Sequence, residues 1–221
     1  MVDRPHRTNT QRREVKLENF YRLAWEQVRD HYNAEQQTNP DASAQKRDEA
    51  TKVQLTLSDG TIINGSTGSE RIHAESKAYD NLWENALDAG RRFFGTEQEI
   101  RTYALNYVRM TLNNAQVKCV DVKTNQDCHK PSCFMCSAIA HSLGVRVESK
   151  DLTGYTEYNL PRLFREAPDI FLQELVGTEA FKIYQTLDEE ERGRIFTSLG
   201  SVLYEMHRYN RQGRDTGEFV V

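Results

Sequence analysis

The stretch Pro131-Ser-Cys-Phe-Met-Cys-Ser-Ala-Ile-Ala-His-Ser142, followed by Gly144 and by Val145-Arg-Val147, decides how the middle of this chain folds. Pro131 lies where a helix can begin, residues 132–143 continue that helix, and Gly144 ends it. The residues after Gly144 predict a short strand over 145–148. Upstream, Val117-Lys-Cys-Val-Asp-Val122 alternates between apolar and polar residues and predicts another strand. The order of elements is therefore strand, helix, strand.

Toward the N-terminus, the same alternation predicts a β-hairpin. Residues 53–57 and 61–64 are rich in β-branched side chains, and they flank Asp59-Gly60, a sequence typical of a tight turn. Apolar residues at helical spacing predict helices over 15–32 and 69–89. A further helix opens with the capping box Thr96-Glu-Gln-Glu99. Its expected buried stripe is Ile100, Tyr103, Ala104, Tyr107, Val108 and Leu112.

After residue 148 the pattern becomes mostly helical. Residues 154–158 predict a strand that returns antiparallel, and helices are expected over 160–166, 169–186 and 188–210. Alternating strands and helices followed by helices predict an α/β protein with a three-layer α/β/α core, a mixed sheet, an N-terminal helix and a helical C-terminal extension. We divide the chain into an N-terminal helix and linker (1–50), a core (51–160) and the C-terminal extension (161–221).

Composition and charge exclude several classes of protein. The 221 residues include 10 Tyr, 9 Phe and 2 Trp, enough bulk for a packed core. The net charge of −4 argues against a strongly basic nucleic-acid groove, although it does not exclude a local basic strip. The N-terminal residues have no apolar signal-peptide region, and no apolar run approaches the roughly 18 residues of a membrane helix. We therefore expect a cytoplasmic protein, or one delivered into a target cell by other machinery, with no membrane contact.

The four cysteines are clustered. Cys119, Cys128, Cys133 and Cys136 occur close together in a chain without a signal peptide, which indicates metal or redox chemistry more than a disulfide framework. A Cys-x-x-Cys pair alone is a weak signal. It is compatible with half of a zinc site, with a closed structural site that includes Cys119 and Cys128, and with a redox pair formed by Cys133 and Cys136.

Two distant segments together resemble a known family. His73-Ala-Glu75 is expected at the start of a helix, and so is Pro131-Ser-Cys-Phe-Met-Cys136; His-x-Glu followed by Pro-Cys-x-x-Cys marks the zinc deaminases. Residues 133–142 and the strand after them look like the second zinc segment of tRNA adenosine deaminases and deoxycytidylate deaminases. Asn64 is similar to the Asn that these enzymes place against the substrate. Residues 53–150 thus resemble the cytidine deaminase-like superfamily, and this resemblance implies a cytidine deaminase-like core.

The resemblance implies a zinc ion (Zn²⁺) bound by His73, Cys133 and Cys136. The two cysteines are three residues apart, so they share a helix face, and the positive end of the helix dipole favours their thiolate forms. Three protein ligands leave the fourth tetrahedral position for water, whose pKa the ion lowers toward about 7. Because positions i and i+2 point to different sides of a helix, His73 and Glu75 can serve the ion and the substrate only at a helix entrance.

The remaining site residues also follow from the resemblance. Glu75 is the catalytic residue, which takes a proton from water and passes it to the ring nitrogen and then to the leaving amine. Asn64, Ala74 and Phe134 are the implied substrate contacts. The implied reaction is hydrolytic deamination of a nucleobase.

Cytosine to uracil is favoured, in single-stranded DNA or RNA (DNA favoured) or in a free nucleotide. The adenine reaction and a non-catalytic zinc-stabilised binding module are the alternatives.

The sequence departs from the family pattern in two places. Ser132 stands between the proline and the first cysteine, and a long insertion over 89–114 carries an extra helix. The first departure resembles the divergent deaminases found among bacterial toxins and fungal proteins, and both departures bear on which branch of the family the chain resembles. A toxin-like branch implies an immunity or partner protein in addition to the nucleic-acid substrate.

Overall fold

A computed structural model describes residues 9–34, 52–67, 72–128, 130–148, 150 and 158–211. In these residues the chain forms an α/β fold with a mixed, open sheet of four strands and with eight helices. The strand order in the sheet is β2-β1-β3-β4. Their bounds are Lys52–Thr56 (β1), Ile62–Ser66 (β2), Gln116–Val120 (β3) and Arg146–Val147 (β4).

The predicted hairpin is confirmed. β1 pairs antiparallel with β2, with Leu55 opposite Ile63, and Gly60 has the positive φ that the turn requires. β1 also pairs antiparallel with β3, whereas β3 and β4 are parallel. The parallel pair is joined through a helix, as the strand, helix, strand pattern predicts.

Helices precede, connect and follow the strands. Their bounds are Asn9–Ala34 (α1), Ala74–Arg91 (α2), Glu97–Leu112 (α3), Phe134–Ser142 (α4), Arg162–Glu166 (α5), Phe171–Val176 (α6), Thr178–Gln185 (α7) and Glu189–Arg211 (α8). The capping box at Thr96 and Glu99 is present, with the side chain of each residue bonded to the backbone of the other. None of the described helices is both long enough and apolar enough to cross a membrane.

Several element bounds differ from the predicted ones. α1 begins six residues before the expected start, α2 begins at Ala74, and residues 68–71 lie outside the described part of the chain. The single helix expected over 169–186 is two helices, because the chain turns at Gly177, where φ is +81°. The strand predicted over 154–158 falls mostly on residues 151–157, which also lie outside the described residues.

The prediction that Tyr103 and Tyr107 are buried is wrong. α3 packs against α2 through Ile100, Ala104 and Val108, which are buried, whereas both tyrosines are only half-buried. Their rings stack at 6.2 Å and line an open groove of about 490 Å³ on the outer side of α3. The reason is that α2 packs against one side of α3 and leaves the side that carries the two tyrosines partly open.

The sheet positions the start of α2. Val53, Leu55 and Val117 are buried on one face, and Gly65 on the same face lies so close to Ala74 that a Cβ atom would fall 2.0 Å from the carbonyl oxygen of Ala74. The first turn of α2 therefore packs directly on β2. This contact sets the place of every side chain that projects from the start of α2.

The C-terminal extension is fastened to α2 by polar contacts. Trp83 donates from Nε1 to Glu166 at 2.9 Å, and the backbone NH of Arg162 donates to Asp80 at 2.6 Å. The Arg162 guanidinium also forms ion pairs with Glu84 and Glu166. On the other side, α1 packs against α4, α6, α7 and α8. The N-terminal helix and the extension thus share a core with α4.

Candidate metal centre

Two helix N-termini converge at one point. His73 is the N-cap residue of α2 and Cys133 is the N-cap residue of α4, and both have extended backbone conformations. Each helix begins directly after its cap, as the bonds from Lys77 to the His73 carbonyl and from Ser137 to the Cys133 carbonyl show, both at 2.9 Å. The requirement that His-x-Glu span a helix entrance is met.

His73, Cys133 and Cys136 form a group that can hold a metal ion. Nδ1 of His73 lies 3.4 Å from Sγ of Cys133 and 3.4 Å from Sγ of Cys136, and the ligand atoms all lie within 4.8 Å of one another. A tetrahedral zinc ion with usual bond lengths separates a nitrogen and a sulfur ligand by about 3.6 Å. Two thiolates and an imidazole are also a donor set that suits zinc. The residues therefore fit this ion in geometry and in chemistry.

The surroundings of the group favour the thiolate form of Cys133. Burial alone would raise the pKa of Cys133, but the hydrogen bond from Cys136 and the charge of His73 lower it to about 5. Burial also lowers the pKa of His73, yet the Cys133 thiolate more than offsets this and raises it. The pKa of Cys136 is raised well above its ordinary value, by burial and by the Cys133 charge. The group therefore favours the thiolate form of Cys133 and the protonated forms of His73 and Cys136.

Glu75 lies at the edge of this group. It is the second residue of α2 and is half-buried, and its Oε1 accepts a hydrogen bond from the Ser132 hydroxyl at 3.0 Å. The Ser132 carbonyl in turn accepts from Ser137 at 3.3 Å. The residue that departs from the family pattern thus holds the carboxylate that the resemblance makes catalytic.

Tyr158, near the end of the core and just before the C-terminal extension, covers the group. Its hydroxyl lies 2.9 Å from the Ser76 hydroxyl and 3.4 Å from Sγ of Cys136, and its ring meets that of His73 edge to face at 4.6 Å. The side chain is buried. Burial and the nearby cysteines raise its pKa well above the ordinary value, so its hydroxyl stays protonated and can donate to the Cys136 sulfur. The sequence carries no signal for this role, since a lone tyrosine belongs to no motif.

Gly200 in α8 makes room for Tyr158. A Cβ atom at this position would lie 2.6 to 2.8 Å from the Cβ, Cγ and Cδ1 atoms of the tyrosine. The backbone NH of Leu160 also donates to the carbonyl of Phe196 at 3.2 Å, which ties the segment after Tyr158 to the same helix. In the sequence, Gly200 lies within an otherwise apolar helical segment, and such a glycine can indicate that another part of the chain packs closely against the helix.

We expect Gly200→Ala to destabilise the protein by about 2 kcal/mol, because the methyl group overlaps the rigid near end of the Tyr158 side chain. Gly193→Ala in the same helix is the matched control. Nothing lies within 4 Å of that position, so the change should stabilise by up to about 1 kcal/mol through helix propensity. Urea unfolding curves measure both. Equal midpoints for the two variants would contradict the close packing of Tyr158.

The three implied substrate contacts, Asn64, Ala74 and Phe134, lie in different surroundings. Asn64 is exposed on β2, where its neighbours Ile63 and Gly65 are buried, so its side chain lies on the face opposite to α2. Its backbone carbonyl contacts α2 by accepting from Asn81 at 2.8 Å. Ala74 is buried at the start of α2. The role of both residues toward a substrate stays a prediction.

Phe134 lies in the core. Its ring is fully buried, stacks on His207 at 4.5 Å and meets Tyr32 at 5.2 Å. It follows the N-cap Cys133 directly and points toward α1 and α8. The structure thus gives this ring a packing role that holds the start of α4 in place.

Cys119 and Cys128 lie outside the group of three ligands. Their sulfur atoms lie 2.7 Å apart, so the two cysteines form a separate pair. Among the described residues, the candidate metal group contains neither of them. His129, considered beside Cys128 in the sequence, lies outside the described residues.

Comparisons with known proteins add no relative: no family model matches the chain, and no curated protein or solved structure is significantly similar to it.

Proposed function

We propose that this chain is a zinc-dependent hydrolytic deaminase of a nucleobase, with cytosine to uracil as the favoured reaction. Single-stranded nucleic acid, with DNA favoured, or a free nucleotide is the proposed substrate. The observation that carries the proposal is the meeting of two helix N-termini, which brings the His73 imidazole within 3.4 Å of both thiols. Glu75 stands two residues after His73, beside the ligands, as such a reaction needs.

We further propose that residues 51–160 form a three-layer deaminase-like core. The mixed sheet and its order β2-β1-β3-β4 support this, since α2 and α4 start beside the same sheet and carry the two motifs. Tyr158, near the end of this core, would then complete the site, and α8 of the C-terminal extension packs against it.

Each residue of the group has a distinct task in this mechanism. Zinc, when bound, lowers the pKa of a water molecule in its fourth position toward about 7. Glu75 accepts a proton from the attacking water and donates it to the ring nitrogen of the base. It then transfers a second proton, from the hydroxyl newly bonded to C4, to the departing amine. Ser132 donates to Oε1 of Glu75 and so fixes the carboxylate. In the net reaction a C4–O bond forms, the C4–N bond breaks and ammonia leaves.

The fixed surroundings favour negative charge at this point. The positive ends of the α2 and α4 dipoles meet here and stabilise the thiolates and the Glu75 carboxylate. Tyr158 and Ser76 form a hydrogen-bonded pair behind Cys136, and contacts of this kind orient metal ligands. The two helix starts thus favour negative charge where the ligand atoms meet.

A substrate panel tests the proposal. The zinc-loaded protein is incubated with cytidine, dCMP, single-stranded DNA and RNA, and with the adenine equivalents, and released ammonia and the deaminated base are measured. We expect turnover of at least one cytosine substrate. Turnover of adenine substrates alone would favour the alternative base, and no ammonia from any substrate would contradict the proposal.

A structural zinc site is the second candidate. The burial of Cys133, Cys136 and Tyr158 favours it, since an enclosed ion has little access to a substrate. The half-buried state of His73 and Glu75 favours the open, catalytic site. The number of protein ligands separates the two candidates, because a structural site has four and a catalytic site has three.

The metal affinity should fall steeply as the pH falls, because zinc displaces protons from its ligands. Near pH 6, about one unit above its pKa of about 5, Cys133 is largely deprotonated, so each ion displaces mainly two protons, from His73 and Cys136. We therefore expect Kd to rise about 100-fold per pH unit there, and up to about 1000-fold per unit below about pH 5, where a third proton competes. Competition with a chelator, corrected for its own protonation, measures this. A Kd that does not change with pH would contradict the proposed ligand set.

A further inference from the structure

The two cysteines outside the metal group form a preorganised pair. Cys119 lies on β3, and Cys128 follows an exposed turn that brings the chain back beside it. The backbone NH of Cys128 donates to the Cys119 carbonyl at 3.2 Å, and Val120 forms an antiparallel bridge with Asp127. The two residues therefore face each other across a short hairpin, with their sulfur atoms 2.7 Å apart.

The turn between them is itself held in place. The Asp121 carboxylate accepts from the backbone NH groups of Lys123 and Thr124, at 2.9 and 2.8 Å, and from the Thr124 hydroxyl at 3.0 Å. Asn125 adopts the left-handed conformation with φ of 57°, and its NH donates to the Asp121 carbonyl at 3.0 Å. The sulfur atoms are thus brought together by the backbone and need no rearrangement of the turn to react.

We propose that Cys119 and Cys128 are a redox modification site, which forms a reversible intramolecular disulfide by exchange with a low-molecular-weight disulfide such as glutathione disulfide. The Cys128 thiolate attacks one sulfur of glutathione disulfide, forms a mixed disulfide and releases one glutathione thiolate. The Cys119 thiolate then attacks the Cys128 sulfur and releases the second glutathione. The two protein thiols together lose two electrons and two protons, and glutathione disulfide is reduced to two glutathione molecules.

The order of the two attacks follows from exposure. Cys128 is partly exposed, whereas Cys119 is buried. Burial and the adjoining Cys128 raise the pKa of Cys119, which makes it the poorer first nucleophile. Once Cys128 carries the glutathione group, Cys119 is held next to the sulfur that it must attack. The proximity of the pair therefore favours the second step over escape of the mixed disulfide.

The bond would join β3 to the segment that leads into the metal centre. Three residues, 129–131, separate Cys128 from Ser132, which donates a hydrogen bond to Glu75. Cys133, the first cysteine of the ligand group, comes directly after Ser132. The inference does not depend on the proposed deaminase activity, since the pair is separate from the ligand group.

The test is a redox titration of the full chain, loaded with zinc so that Cys133 and Cys136 are protected. The protein is equilibrated with mixtures of glutathione and glutathione disulfide, quenched in acid, unfolded and alkylated. We expect the number of alkylated thiols to fall from four to two as the mixture becomes more oxidising, and to return to four with dithiothreitol.

Peptide mapping then assigns the bond. Trypsin cleaves poorly before Pro131, so Cys128 shares the tryptic peptide 124–146 with Cys133 and Cys136, whereas Cys119 lies in 119–123. Fragmentation of the cross-linked peptides must therefore show that Cys128 is the partner. A cross-link from Cys119 to Cys133 or Cys136, or four alkylated thiols at the most oxidising mixture, would overturn the proposal.

Two single variants complete the test. Cys119→Ser should accumulate one glutathione adduct on Cys128, because the second step is blocked. Cys128→Ser should form neither the adduct nor the cross-link, and its three thiols should stay open to alkylation. A cross-link to Cys119 that persists in the Cys128 variant would contradict the assigned pair.

Discussion

Cys136→Ser should reduce the zinc content from about one ion per chain to less than about a tenth, because the serine hydroxyl is a poor substitute for a thiolate ligand. Cys136 lies at the third position of α4, 3.4 Å from Nδ1 of His73, and no other cysteine of the described chain is placed to replace it. Elemental analysis of the desalted protein measures the loss.

Cys128→Ser is the matched control for this variant. The two substitutions are chemically identical, but Cys128 lies outside the ligand group and should keep about one ion per chain. Because Cys136 is buried, His73→Ala, at a half-buried position, provides a second variant whose fold is checked by circular dichroism. Loss of zinc from the Cys128 variant would favour the closed structural site, and full retention by both ligand variants would contradict the site.

Glu75→Gln should lower the deamination rate by about 1000-fold or more while leaving the zinc content unchanged, since a carboxamide cannot take the proton from water. The change preserves the size of the side chain and still accepts the hydrogen bond from Ser132. Steady-state rates and elemental analysis on the same sample separate a lost proton acceptor from a lost ion.

Two further variants make the Glu75 result specific. Glu26→Gln on the exposed side of α1 is the matched control and should keep the full rate. Ser132→Ala should lower the rate by about tenfold, because the carboxylate loses the contact that orients it. A Glu75→Gln protein that retains the full rate would remove Glu75 from the mechanism, and equal losses in Glu26→Gln would show that the effect is not local.

The local elements of the fold were predictable because their signals lie within a few residues. Asp59-Gly60 predicts the hairpin turn, and Thr96 with Glu99 predicts a helix start, since both use contacts between near neighbours. The proximity of His73 to Cys133 was implied only by the resemblance to a family. Neither residue carries a local signal for a partner 60 positions away.

The contacts missed by the sequence analysis all depend on tertiary packing. Tyr158 reaches the metal centre only because α8 presents Gly200 to it, and Cys119 meets Cys128 only because a turn capped by Asp121 folds back. The burial of Phe134 depends on α1 and α8, which come from opposite ends of the chain. Periodicity along one segment does not report which distant segment covers it.

The most direct measurement is X-ray absorption at the zinc edge of the zinc-loaded protein. Three protein ligands and one solvent position predict two sulfur atoms at about 2.3 Å and two nitrogen or oxygen atoms at about 2.0 Å. A shell of four sulfur atoms, or a zinc content far below one ion per chain, would contradict the assignment of His73, Cys133 and Cys136 as an open metal site.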